Sequence, residues 1–203
     1  GIIMVRDLLS RGYRVLALCL TIEGAERLYA ENLGGGKVEA LNTVVGDVTK
    51  QEDVDRVGKG ISEMIDHAPG MKLWAVINNA GVAPCGFTDW LDMDAVKMVM
   101  DVNYFGVVNV TKTCLPYLKK TRNSRVINIS SLAGLASGAH LEAYSASKHA
   151  LEGWAKAFRA EVAPFGIHVC NVNSGFLKTP LVNSSVDMAL RLYQRNTDDF
   201  KKE

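Results

Sequence analysis

Tyr144 and Lys148 stand four residues apart, 13 residues after Ser131. On a helix that spacing puts both side chains on one face. An ammonium beside a phenol stabilises the phenolate and lowers its pKa. A tyrosine tuned in this way can exchange a proton with an alcohol or carbonyl oxygen near neutral pH. Ser131 adds a hydroxyl to hold the same oxygen. This equipment suits the interconversion of an alcohol and a ketone or aldehyde, with the hydride carried by a nicotinamide cofactor. Taken alone, the spacing equally fits a solvated helix face. The elements around it decide between the two.

Those elements alternate along the chain. Strands are expected at 14–20, 40–45, 73–78, 125–129 and 167–173, in runs rich in Val, Ile and Leu with little polar alternation. Such runs suit strands covered on both faces. Helices are expected at 2–10, 24–32, 51–67, 93–119 and 143–163. Thr49 followed by Glu52 forms a capping-box pattern ahead of the third helix. Gly34-Gly35-Gly36 suits a flexible turn and not a phosphate loop, since no helix opens directly after it. There is no internal repeat, low-complexity tract or linker. The expected fold is α/β, a doubly wound parallel sheet in three layers forming one domain over 1–203.

Composition narrows the function classes. With 203 residues, 48% of them hydrophobic, the chain can bury one sizeable core. A net charge of +1 gives no electrostatic basis for binding nucleic acid or an anionic membrane. No apolar run approaches the ~18 residues of a membrane span. Cys19, Cys85, Cys114 and Cys170 show neither Cys-x-x-Cys spacing nor clustering with histidine, so no metal site is expected. Cys19 and Cys170 fall in strand-like runs and read as buried, reduced thiols. Sequons beginning at Asn109, Asn128 and Asn183 lie mostly in expected regular structure and read as chance matches.

Three further strings carry a resemblance. Asn78-Asn79-Ala80-Gly81 follows the run from Leu73 to Ile77, Asn103 sits in an apolar helical segment, and Asn128-Ile129-Ser130-Ser131 ends a strand. With Tyr144 and Lys148, in this order, the chain resembles the short-chain dehydrogenase/reductase family over essentially its whole length. The resemblance implies a Rossmann-like fold with Asn103, Ser131, Tyr144 and Lys148 as the catalytic set. Tyr144 would exchange the proton and Ser131 would orient the reacting oxygen. Lys148 would lower the phenol pKa and hold the nicotinamide ribose, while Asn103 would anchor a water leading from Lys148 to solvent. A buried amide meeting a helix irregularity is an equally good description of Asn103. His149 points about 100° away from Lys148 around the helix and is rejected as the base. Asn78 is expected to brace the sheet.

The same resemblance implies a cofactor cradle. Gly1 matches the third glycine of the Thr-Gly-x-x-x-Gly-x-Gly loop, Asp47-Val48 the adenine contact, and Asn79-Ala80-Gly81 the adenosine-ribose turn. Gly175 and Thr179 match the nicotinamide contact, although Ser174 replaces the family's proline. After the second family strand the chain reads Cys19-Leu20-Thr21, with neither the acidic residue of NAD binders nor the arginine of NADP binders. The missing arginine favours NAD, with NADP not excluded. By this matching, the family's first strand and last elements are absent from the chain. The lost strand would lie between strands 14–20 and 73–78 and leave two unpaired inner edges. Such a chain is expected to bind dinucleotide poorly and to be prone to aggregation.

Within the family, the stretch from Arg14 to Thr21 with Gly24-Ala25-Glu26, and Gly175-Phe176-Leu177-Lys178-Thr179, are most similar to the retinol dehydrogenase and 17β-hydroxysteroid dehydrogenase branch. That branch implies a small apolar alcohol or carbonyl substrate covered by residues 174–203. It also implies an intracellular enzyme associated with the endoplasmic reticulum or else cytoplasmic. A homo-oligomer built on helices 93–119 and 143–163 is implied as well. A small hydroxy acid such as 3-hydroxybutyrate is the alternative substrate, and a non-catalytic fragment the alternative class. The apolar residues Leu181, Val182, Met188, Leu190, Leu192 and Tyr193 fit substrate cover and ordinary helix packing equally well.

Overall fold

The computed structural model describes residues 1–32, 38–175, 177 and 180–200. The Gly34–36 turn and Thr179 therefore lie outside the described residues. The elements run α1 (Ile2–Ser10), β1 (Val15–Cys19), α2 (Ile22–Asn32), β2 (Leu41–Val45), α3 (Gln51–Asp66), β3 (Ala75–Asn78), α4 (Met93–Met100), a π turn (Asp101–Gly106), α5 (Val107–Leu118), β4 (Arg125–Ser131), α6 (Glu142–Val162), β5 (His168–Ser174) and α7 (Pro180–Phe200). All strand pairs are parallel, and the register aligns Val76, Val126 and Val169 across β3, β4 and β5.

The fold is the expected Rossmann-like α/β arrangement, but its sheet is in two pieces. β1 pairs with β2, and β3–β4–β5 form a second sheet. Among the described residues, β1 and β3 each have one ladder partner, so the break falls where the two inner edges were expected. Side chains bridge it instead of backbone. Leu16, Leu18 and Val44 of the small sheet pack against the core of the large one, which holds Val57 and Ile61 of α3, Leu118 of α5, Val126, Val169, and Ala155, Phe158 and Val162 of α6. A smaller cluster of Leu9, Leu28 and Leu41 seats α1 and α2 on the other face of β1–β2.

Several expectations need correction. The long helix 93–119 is interrupted by the π turn carrying Asn103. The Thr49–Glu52 capping box does not form. Thr49 turns back, its N–H and hydroxyl both bonding the Asp47 carboxylate at 2.9 Å, and Lys50 becomes the helix boundary with no side-chain cap. The acid that reaches back is Asp53, which accepts the Asp47 N–H at 2.7 Å. β5 is not covered on both faces: His168, Cys170 and Val172 are exposed while Val169 faces α6. Cys170 is thus an exposed thiol and Cys19 only partly buried; the deeply buried one is Cys114, pushed up to about 12 by burial. The 180–200 segment is helical, and Leu192 packs on Trp90 and Leu91, with Met188 alongside.

Leu118 is fully buried where α5 meets the large sheet. Leu118→Ala is expected to lower the unfolding free energy by roughly 2–5 kcal/mol, read from the urea midpoint of the two proteins.

Candidate active site

The site is assembled where β4 ends, where α6 begins, and where the loop after β3 meets the π turn. Lys148 is buried at 4% exposure, and its Nζ donates to the Ile129 carbonyl of β4 at 2.8 Å. The same Nζ lies 5.7 Å from the centre of the Tyr144 ring, as the four-residue helical spacing requires. Burial pulls the Lys148 pKa down to about 8, and the Glu152 carboxylate one turn further along α6 opposes that fall.

Asn103 is fully buried in the π turn, where one widened turn lets its side chain leave the helix. Its Oδ1 accepts the Val82 N–H and its Nδ2 donates to the Val82 carbonyl, both at 2.9 Å. The Nδ2 also donates to Ser147 Oγ at 3.0 Å, and Ser147 in turn donates to the Tyr144 carbonyl at 2.7 Å. Asn103 thus clamps the loop after β3 and, through Ser147, the backbone beneath the phenol. A Cβ on Gly81 would sit 3.4 Å from Asn103 Oδ1 and 3.9 Å from Lys148 Nζ. Gly81 therefore lets the loop backbone pass directly over both groups.

Ser131 ends β4. Its Oγ accepts the Ala133 N–H at 3.1 Å and so caps the short turn Leu132–Gly134. The acceptor side of the hydroxyl is engaged, and its proton remains available to donate. His149 is exposed, with Nδ1 against the Ser145 carbonyl at 2.9 Å, away from Lys148.

The residues matched to a cofactor fall into separate places. Gly1 is the N-cap of α1, and a Cβ there would lie 3.6 Å from the Asn79 side chain, so the helix start adjoins the exposed Asn79-Ala80 turn. Val48 rests on Gly106 at the end of the π turn, where an added Cβ would meet its Cγ2 at 2.8 Å. A cavity of about 490 Å³ opens there, lined by Val48, Thr49, Asp101 and Phe105 among others. Asp47 is held by Thr49, Gly175 is exposed near Leu132, and Thr21 Oγ1 caps α2 by accepting the Gly24 N–H at 3.1 Å. The exposed Asn79-Ala80 turn, next to Gly81 over Asn103 and Lys148, has the backbone access a dinucleotide ribose needs. Among the described residues no cluster of metal-ligating side chains exists.

Sequence reasoning missed two participants, Ser147 and Glu152. Glu152 was within reach of the same helical spacing, four residues after Lys148. Ser147 carried no signal apart from lying between the two recognised residues. Asn78 does brace the sheet, donating to Asn128 Oδ1 at 2.8 Å and Thr111 Oγ1 at 3.0 Å.

Parallel strands alternating with helices, with Asn103 and Lys148 buried beside the loop after β3 and Ser131 closing β4, define the Rossmann-like class of folds. The chain belongs to the short-chain dehydrogenase family, whose model matches residues 1–189. It is similar to dehydrogenase/reductase SDR family member 9 of Bos taurus, with 35% identity over 100% of the chain and 61% of that protein. Retinol dehydrogenase 16 of Rattus norvegicus is 35% identical over 90% of the chain and 55% of its own length. Human 17-beta-hydroxysteroid dehydrogenase type 6 is 34% identical over 90% and 55%. The chain is therefore close to the retinol and hydroxysteroid dehydrogenase branch, and spans about 55–61% of these relatives' length. A short-chain dehydrogenase from Streptomyces avermitilis superposes with a TM-score of 0.77 at 27% identity, over 89% of this chain and 65% of that one. No described helix is long and apolar enough to cross a membrane.

Asn103→Ala is expected to leave the Val82 N–H and carbonyl unpaired beneath the site. The loss should be roughly 1–3 kcal/mol of stability for each buried group left without a partner, measured by urea denaturation. A melting curve unchanged from wild type would contradict the clamp.

Proposed function

We propose that the protein is an oxidoreductase interconverting an alcohol and a ketone or aldehyde with a nicotinamide cofactor. Its substrate is a small apolar molecule, retinoid-like or hydroxysteroid-like. The observation that carries the reading is the Tyr144–Lys148 pair, backed by buried Asn103 and Ser147, with Ser131 at the end of the strand whose Ile129 carbonyl holds Lys148.

In this reading Ser131 donates its O–H to the substrate oxygen and fixes it against the phenol. Tyr144 takes the hydroxyl proton when an alcohol is oxidised and returns it when a carbonyl is reduced. The Lys148 ammonium favours the phenolate by charge, and Ile129 holds it in place. The nicotinamide, when bound, supplies the hydride acceptor or donor. Gly1 with the α1 N-terminus would hold the pyrophosphate, Asp47 and Val48 the adenine, and Asn79 to Gly81 the ribose. Lys148 would bind the second ribose, with Gly175 and Thr179 beside the carboxamide. NAD is the preferred cofactor, because neither Cys19 nor Leu20 nor Thr21 offers a cation for a 2′-phosphate.

An apolar substrate is supported by Leu132 and Leu135, one and four residues after Ser131 and 54% and 57% exposed. Location at the endoplasmic reticulum and assembly through α4, α5 and α6 belong to the same proposal. Assays of the intact protein with retinol, a hydroxysteroid and 3-hydroxybutyrate test the substrate class. The two apolar alcohols are expected to be turned over, and preference for the hydroxy acid would reject the reading.

Tyr144→Phe is expected to lower kcat by ~10²–10⁴-fold while NADH binding, followed by fluorescence, stays near wild type. Retention of more than about a tenth of the rate would remove Tyr144 from proton transfer.

Lys148 is an ammonium below about pH 8 and neutral above it, so its support of the phenolate fades as pH rises through that value. Lys148→Ala removes the support at every pH. The variant is expected to bind cofactor more weakly, and its optimum for alcohol oxidation should move to higher pH. An unchanged pH–rate profile would exclude Lys148 from the proton chemistry.

A further inference from the structure

Glu152 is a carboxylate 8% exposed, set against the carboxyl ends of β4 and β5. Its Oε1 accepts the Asn173 Nδ2 at 2.6 Å, and the same Nδ2 donates to the Ser131 carbonyl at 3.3 Å. The turn after Ser131 leaves room for this side chain, since a Cβ on Gly134 would lie 3.1 Å from Glu152 Cγ and 3.0 Å from the Lys148 carbonyl oxygen. One acid therefore touches the three segments that present Ser131, Lys148 and the end of β5.

An in-register amide ladder leads to the same acid. Asn78 donates to Asn128, and Asn128 Nδ2 donates to Asn171 Oδ1 at 2.9 Å. Asn78, Asn128 and Asn171 are aligned across the three strands. The donors run from β3 through β4 to β5, with Asn78 also donating to Thr111 of α5, and the Asn171 side chain at the far end meets the Glu152 carboxylate.

We propose that Glu152 is a positioning residue for the site: through Asn173 it anchors the Ser131 end of β4 to α6, and from one helical turn away its negative charge favours the Lys148 ammonium. This rests on the proposed function for its catalytic meaning, though not for its geometry. Burial pushes the Glu152 carboxyl up, but Ser130, Asn171, Asn173 and the Lys156 charge outweigh it and hold the acid below its usual range. Among the described residues, Lys156 of α6 is the cation whose charge lowers Glu152, and Glu152 in turn raises Lys148 on the same helix. β4, β5 and the Gly134 turn face it with Ser130, Asn171, Asn173 and Gly134, none of which ionises in this range. Lys148 is surrounded by Tyr144, Glu152 and the neutral Asn103 and Ile129.

Two substitutions separate the halves of the proposal. Glu152→Gln keeps an acceptor for Asn173 and removes only the charge; Glu152→Leu removes both. The first readout is a pH titration by NMR of the lysine-labelled chain, with Lys148 assigned by its loss in Lys148→Arg. Glu152→Gln is expected to lower the Lys148 midpoint, as losing an opposite charge one helical turn away should, while melting near the wild-type temperature. Glu152→Leu is expected to melt distinctly lower. An unmoved midpoint in Glu152→Gln overturns the electrostatic half, and equal melting of the two variants overturns the anchoring half. The titration needs no turnover, so a protein inactive on every alcohol would reject the proposed function and leave this test standing. In an active protein, the alkaline limb of kcat/KM should move down with the Lys148 midpoint.

Discussion

The structure around the site depends on burying one ammonium. An isolated cation in an apolar interior is expensive, and Lys148 is accommodated because three elements meet it with what it needs. β4 offers the Ile129 carbonyl, α6 offers a carboxylate one turn away, and the Asn103 amide lies against the glycine backbone that passes over it. The accommodation is incomplete, which is why the lysine titrates near 8 instead of 10.5. The unfolded chain binds more protons than the folded one between these values. The stability cost of the charge is therefore fully present below about pH 8 and is relieved as pH rises towards 10.5. A group retained at that cost is a candidate for function and a poor candidate for scaffolding.

Polar connections, more than apolar packing, set the relative positions of the site's parts. The amide ladder of Asn78, Asn128 and Asn171 holds β3, β4 and β5 in register just below their carboxyl ends. The π turn supplies the other constraint, turning Asn103 out of the helix to grip Val82 and Ser147 at once. Fully satisfied buried networks of this kind are rigid, because each lost bond leaves a partner unpaired. The apolar core lies beneath them, with Val76, Val126 and Val169 one pleat repeat earlier on the same face.

The divided sheet bears on the cofactor side and hardly on the tetrad. Asn103, Ser131, Tyr144 and Lys148 all belong to the large sheet or the helices packed on it. Asp47 and Val48 belong to the small one, where Val48 reaches the π turn only by seating on Gly106. The two pieces are joined by side chains of Leu16, Leu18 and Val44 packed against the main core. Non-directional contacts hold position less strictly than a hydrogen-bonded ladder.

Much of the fold and the catalytic set was legible in the sequence, for identifiable reasons. Helical spacing alone puts Tyr144 beside Lys148, apolar runs locate all five strands, and the order of motifs carries the family. Local rules failed in two ways: Thr49 bonds its near neighbour Asp47 instead of capping α3, and the helix holding Asn103 widens where the tertiary partners Val82 and Ser147 take its amide. Glu152 lay in plain view at the next helical step. Nothing local distinguishes a buried counter-ion from a solvated acid, because that depends on Asn173 arriving from β5. The sequence by itself thus determined which residues can carry the chemistry and which elements bear them. Only the tertiary structure decided which lysine is desolvated, which hydroxyl keeps its proton free, and which acid faces the site. Those properties belong to neighbours brought together across the chain.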